Sequence, residues 1–172
     1  GTVVPESDFE TTVGMVRIID FMPRRGEGPP RVMRIVQGVR GRVPMKMELV
    51  VRPDYGSIAP WVEPEPDGIR ATAGPDTFRL CTPVPLQINK GTVGARFVVT
   101  EGGRARFALC WHSSFEDAPT MEDADSALAR TEAWWREWSG RCVYSGPYRD
   151  QVLTSLIALK AMTYEKTGGM VA

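Results

Sequence analysis

Val43-Pro44-Met45-Lys46-Met47-Glu48-Leu49-Val50-Val51 alternates: Met45, Met47, Leu49 and Val51 fall on one side of an extended chain, and Lys46, Glu48 and Arg52 fall on the other. Side chains in a strand point to opposite faces with a period of two, so this stretch buries one face and wets the other. Working outward, Arg31 to Val39 also reads as extended, with Gly41 punctuating the two runs. Upstream, Phe9 to Thr12 and Met15 to Phe21 flank a Val13-Gly14 turn as a hairpin. Pro23 ends the second strand because it has no N–H for the ladder. Arg24 to Pro30 then reads as a loop. Downstream, strands are predicted at Trp61-Val62, Gly68 to Thr72, Thr77 to Cys81, Val93 to Thr100 and Ala105 to His112. Pro53-Asp54-Tyr55-Gly56 and Ala73-Gly74-Pro75-Asp76 have turn chemistry, and Gly102-Gly103 is expected to join the last two strands tightly. Eight or more short strands must close or stack to cover their edges, which predicts an antiparallel β-sandwich over residues 1–118.

The period changes after residue 118. Thr120-Met121-Glu122-Asp123 resembles a capping box with aspartate in place of glutamate. From Ala124 to Ser139, a helical stripe of Leu128, Thr131, Trp135 and Trp138 is widened by Trp134, and Gly140 is placed to cap it. A second helix is predicted from Ser145, with Pro147 in its first turn, to about Tyr164. Val152, Leu153, Leu156, Leu159 and Met162 form its apolar side, and Ile157 and Ala161 widen the arc. The chain is therefore mainly β, followed by two C-terminal helices. Three tryptophans on one short helix, and a second helix apolar on more than one side, expect more neighbouring surface than the sandwich offers. Trp134, Trp135 and Trp138 are accordingly the candidate domain interface.

Composition excludes several classes of function. Of 172 residues, Lys+Arg total 21 and Asp+Glu total 21, so no net field gathers a phosphate backbone and no nucleic-acid partner is expected. No apolar run approaches the ~18 residues of a membrane helix, and no signal-peptide pattern is present. Cys81, Cys110 and Cys142 form no CxxC pair, and His112 stands alone, so no metal site or cofactor is expected. Reduced thiols of this kind fit a cytoplasmic protein. The oligomeric state is left open.

Three groups could carry chemistry. Glu63, Glu65 and Asp67 alternate and would share one face of an extended segment, as a glycosidase pair or calcium cluster requires. The interleaved prolines and Gly68 favour a solvated turn instead. Asp54, Tyr55 and Trp61 surround a proline-containing loop whose aromatic faces could stack on a sugar ring, or could anchor the loop to the sandwich. Cys110 and His112 share a strand face, but no third residue orients the imidazole, so an edge or interface histidine is the simpler reading. The arginines from Arg24 to Arg42 could bind anions, although an exposed polar face explains them more simply.

Four ordered strings go further. TVGMVRIIDFMP at 12–23, RIVQGVRGRVPMKMELVVRPDYG at 34–56, TEAWWREWSGRC at 131–142 and LTSLIALKAMTYEKTGG at 153–169 together resemble the bacterial members of glycoside hydrolase family fifteen, the glucoamylase- and trehalase-like enzymes. Lys166 departs from the proline expected before Thr-Gly-Gly. The resemblance implies a supersandwich-like N-terminal β domain lacking its opening strands (1–118), a linker helix (119–144) and the first helix of a truncated (α/α)6 catalytic barrel (145–172). The family hydrolyses α-glucosidic bonds with inversion, using two carboxyl groups of the barrel ~6.5–9.5 Å apart. No position here matches them, so no catalytic residue is assigned. The expected partners are the missing catalytic domain and, in the full enzyme, an α-glucosidic saccharide. A free-standing carbohydrate-binding or protein-interaction sandwich is the alternative.

Overall fold

The computed structural model describes residues 1–24, 26 and 28–170; Arg25 and Glu27 of the first long loop lie outside them. In chain order the elements are β1 (Glu6–Thr11), β2 (Gly14–Phe21), β3 (Arg31–Val50), β4 (Trp61–Glu65), β5 (Gly68–Ala73), β6 (Asp76–Cys81), β7 (Gln87–Asn89), β8 (Thr92–Thr100), β9 (Arg104–Ser113), α1 (Ala124–Gly140) and α2 (Arg149–Ala161). All pairings between these strands are antiparallel. The order across the first sheet is β1-β2-β3-β9-β6-β5-β4, and a second, smaller sheet is formed by β3, β8 and β7. Pro64 sits in β4, at the sheet edge where a missing N–H does least harm.

β3 organises both sheets. Arg31–Gln37 pairs with β9, Met33–Gly41 with β2, and Arg42–Val50 with β8. Gly41 does not divide two strands. Gly102-Gly103 does join β8 and β9 by a tight turn, Gly103 N donating to Thr100 O at 2.8 Å, but the two strands do not pair with each other as a hairpin. Thr100 stands opposite Arg42 and Arg104 opposite Gln37, so β8 and β9 run in succession along the same partner. Between them, Gly103 O accepts from Gly38 N (2.9 Å), Gly102 N donates to Gly38 O (3.0 Å) and Glu101 N to Gly41 O (2.9 Å). The resulting two-stranded ribbon folds back on itself. Phe97 and Phe107, ten residues apart, have ring centroids 5.6 Å apart, where a straight strand would separate them by about 33 Å. Glycine makes the corner, because a Cβ at Gly38 would stand 2.0 Å from Thr100 O and Gly41 adopts φ 71°. In sequence, the same residues suit a hairpin turn and a bulged corner.

The first sheet is buried on both faces. Ile69, Leu80 and Phe107 pack with Val43, Val93 and Val99 of the second sheet. On the opposite face Ile19, Phe21, Met33, Ile35 and Ala108 pack with Ala124 and Ala127 of α1. Burial on two sides explains why Ile35 and Val36 are both fully covered. The alternation that opened the reading is realised: Met45, Met47, Leu49 and Val51 pack on the inter-sheet core, while Lys46 and Glu48 are exposed.

Both helices differ in detail from expectation. The N-cap of α1 is Asp123 itself, which accepts from Ser126 N at 2.9 Å, rather than Thr120. Gly140 is the last helical residue, and Arg141 caps it in the αR conformation. The second helix is shorter than the apolar pattern: Tyr148, at φ −101° and ψ 24°, is not helical, and the helix begins at Arg149. Beyond Ala161 the chain turns back, with Gly168 N donating to Tyr164 O (2.8 Å) and Tyr164 N to Gly169 O (2.7 Å).

Candidate functional site

The segment between β3 and β4 is held at its two ends. Pro53 and Pro60 are buried, and every residue from Asp54 to Ala59 is exposed. Within it, Asp54 (φ 50°) and Tyr55 (φ 53°) are consecutive left-handed non-glycine residues, followed by Gly56 at φ 92°. Such conformations cost of order 1–3 kcal/mol each and persist only where local structure over-determines them. Here Ser57 supplies the constraint, with its Oγ donating to Asp54 Oδ2 at 2.7 Å and its N–H to Asp54 O at 3.0 Å. The outcome is a tyrosine ring presented wholly to solvent. Trp61, the first residue of edge strand β4, is 73% exposed. Neither ring is spent anchoring the loop; the two buried prolines do that.

The registers place this loop within the sandwich. Trp61 lies opposite Thr72, Thr72 opposite Thr77, and Thr77 opposite His112. Because β3 folds back after Gly41, its C-terminal end returns toward the end of the sandwich where β4 starts and β9 finishes. The loop carrying Tyr55 therefore sits at the sandwich end remote from the corner.

The expected solvated turn is Pro66-Asp67 alone, between β4 and β5, and Glu63 and Glu65 precede it in the strand. Glu63 and Glu65 belong to β4, and guanidinium groups hold all three carboxylates. Arg70 contacts Glu63 Oε2 at 2.9 Å, Arg79 Nε donates to Glu65 Oε2 at 2.6 Å, and Arg79 Nη2 to Asp67 at 2.8 and 2.9 Å. Arg70 lies on the neighbouring strand β5 and Arg79 one strand further on, in β6, so only the strand register brings them together. Among the described residues no group of three or more His, Cys, Asp or Glu side chains is placed to hold a metal.

Cys110 and His112 do share a face, and both are buried. Burial raises the Cys110 thiol above its ordinary range, and burial likewise pushes Cys81 up to about 12. In both, burial disfavours the thiolate form. His112 Nδ1 lies 2.9 Å from Ser113 O. Among the arginines proposed for anions, Arg34 is held by Asp20 (2.6 and 2.8 Å) and Arg40 by Glu10 (2.7 Å), cross-strand pairs on an exposed face.

The tryptophans of α1 form an edge-to-face series, with centroids 4.8 Å apart for Trp134–Trp135 and 6.0 Å for Trp135–Trp138. Trp135 is buried within the chain, and Trp134 and Trp138 are half-buried. Arg24, ion-paired to Glu165, lies 5.4 Å from the Trp134 ring centre, and Lys160 lies 6.0 Å from it. Beside them a mainly apolar cleft of about 950 Å³ opens between the end of β2, α1 and the C-terminal end of α2. On α2 and at its C-cap, Leu156, Leu159 and Met162 are 37–43% exposed.

The chain is similar to several known proteins. The chain is 25% identical over 161 residues to a trehalase of Thermoplasma volcanium, covering 92% of this chain and 26% of that protein. It is 32% identical over 151 residues to a trehalase of Mycolicibacterium smegmatis, covering 82% and 22% respectively. A trehalase of Mycobacterium tuberculosis is 29% identical over 150 residues. This is a glycosidase-related chain. It spans about a quarter of the length of the curated relatives it matches. No protein-family model matches it. A putative kojibiose phosphorylase from the human microbiome superposes with a TM-score of 0.42 at 10% identity, over 92% of this chain and 23% of that one. No helix among the described residues is long and apolar enough to cross a membrane.

Proposed function

We propose that this chain is the non-catalytic N-terminal portion of an inverting α-glucoside hydrolase of the trehalase and glucoamylase type, and that it supports a catalytic (α/α)6 barrel in a cytoplasmic enzyme. The similarity to trehalases about four times longer carries this reading. The uncovered apolar side of α2 supports it. In this proposal α2 is the first barrel helix, α1 is the linker, and Trp134, Trp135 and Trp138 line the junction. The strained loop lends Asp54, Tyr55 and Trp61 to the rim of the pocket, where a flat ring packs on the C–H face of a glucosyl unit and the carboxylate accepts from its hydroxyls.

The test compares glucose release from trehalose by this chain alone with release by a polypeptide extended along its reading frame to the length of the relatives. The extended protein is expected to hydrolyse trehalose with inversion at the anomeric carbon, and the chain alone to release none. Glucose release by the chain alone, or an extended protein inactive on every α-glucoside, overturns the proposal.

A further inference from the structure

Between its buried ends, Pro53 and Pro60, the loop carrying Tyr55 makes no hydrogen bond or ion pair to any other part of the fold among the described residues. Its hydrogen bonds are all its own. Gly56 N donates to Pro53 O at 3.1 Å, Ile58 N to Pro53 O at 3.4 Å and Ser57 N to Asp54 O at 3.0 Å. Ser57 Oγ, donating to Asp54 Oδ2 at 2.7 Å, adds the bond made by a side chain. The ring of Tyr55 is wholly exposed, so no packing steadies it. The directions taken by Asp54 and Tyr55 are therefore decided inside the loop.

Left-handed φ is ordinary for glycine and rare for a residue with a Cβ. Gly56, at φ 92°, needs no help. Asp54, at φ 50°, has some, because a short polar side chain that bonds locally offsets the cost, and the partner it finds is the Ser57 hydroxyl. Tyr55, at φ 53°, has no such bond and takes its conformation from these neighbours. The same hydroxyl orients the Asp54 carboxylate. Oδ2 is occupied, while Oδ1 makes no hydrogen bond or ion pair among the described residues and is left as an acceptor. We infer that Ser57 is a positioning residue, whose hydroxyl fixes the direction from which Asp54 Oδ1 and the Tyr55 ring meet the substrate. This deepens, and rests on, the reading of the chain as part of an α-glucoside hydrolase with this loop at the rim of its pocket. A rim contact is made alike in the ground state and the transition state, so losing its orientation weakens substrate binding without slowing bond cleavage.

Two variants test it: Ser57→Ala, which removes the hydroxyl, and Ser57→Thr, which keeps it. In this chain alone, NMR relaxation is expected to give the Tyr55 and Gly56 amides order parameters of about 0.85, falling below about 0.6 in Ser57→Ala and retained in Ser57→Thr. In the polypeptide extended to the length of the relatives, Ser57→Ala is expected to raise KM for trehalose about fivefold while kcat changes by less than about twofold, and Ser57→Thr to restore KM. Order retained at Tyr55 in Ser57→Ala overturns the inference, whatever the extended protein does. So does an unchanged KM, a loss of kcat that matches the rise in KM, or a Ser57→Thr variant that behaves as Ser57→Ala. Ser57 is exposed, so thermal unfolding of both variants is expected to match that of the parent chain, and a raised KM is not lost folding. Glucose release by the unmodified extended protein decides the parent reading separately, so an active enzyme indifferent to Ser57 sinks this inference alone.

Discussion

α1 and α2 follow one another in the chain and touch in space, but they are held very differently. α1 buries Ala124, Ala127, Thr131, Trp135 and Ser139, and its first turn is pinned by Asp125 against Arg104 and Arg106 of β9. α2 buries only Ile157 and begins without a side-chain cap. The tryptophan-rich helix looks, in sequence, like the one in need of a partner. In the structure the indoles are covered wholly or in part by the chain itself, and the exposed large apolar side chains of the two helices, Leu156 and Leu159, lie on α2. Apolar content alone does not locate an interface; what the rest of the fold fails to cover does.

The contrast can be broken most directly by cutting equivalent apolar groups from each helix. Trp135→Ala is expected to cost about 3–5 kcal/mol of unfolding free energy, because it empties a packed site between α1 and its neighbours. Denaturant titration measures it. Asp123→Ala, which removes the α1 cap, is expected to cost about 1 kcal/mol in the same experiment. Leu159→Ala on the open side of α2 should stay within about 0.5 kcal/mol. A Leu159→Ala cost close to that of Trp135→Ala would show α2 to be packed in solution. Amide exchange sharpens the comparison further, with α2 expected to exchange faster than α1 under native conditions.

The smallest effect is electrostatic. Backbone and side-chain hydrogen bonds from Ser126 hold the Asp123 carboxyl below its ordinary value of 3.8, and the Arg24 hydrogen bond holds Glu165 below 4.5. A depressed carboxyl contributes stability that is present above its unfolded pKa and is lost as pH falls through the folded one. Acid titration followed by NMR should therefore loosen the tail after α2 as Glu165 protonates below 4.5, and fray the start of α1 as Asp123 protonates below 3.8. Loss of either contact at neutral pH would contradict the geometry.

Much of the fold is legible in the string because its signals are local. The Met45-Met47-Leu49 alternation and the helical stripe of α1 need only the period of their own segment. The corner at Gly38–Gly41 and Glu101–Gly103 is not legible, since the choice between hairpin and bulge depends on which strand lies opposite. The three-residue strand β7 is too short to carry a pattern. Arg70 and Arg79 pair Glu63, Glu65 and Asp67 with guanidinium groups, a fact that requires the β4–β5–β6 register. At the candidate site, Tyr55 and Trp61 announce themselves as aromatics in a turn-rich stretch.

The folded ribbon also has a consequence for how the molecule is made. Residues 31–50 leave the ribosome well before residues 92–113, their partner along the whole length of β3. During vectorial synthesis that first arm must wait with one edge open through Val43–Val50, and neither layer can close before the second arm arrives. Assembly of the two sheets is therefore a single late event set by loop closure, and the nascent chain is at its most aggregation-prone just before it.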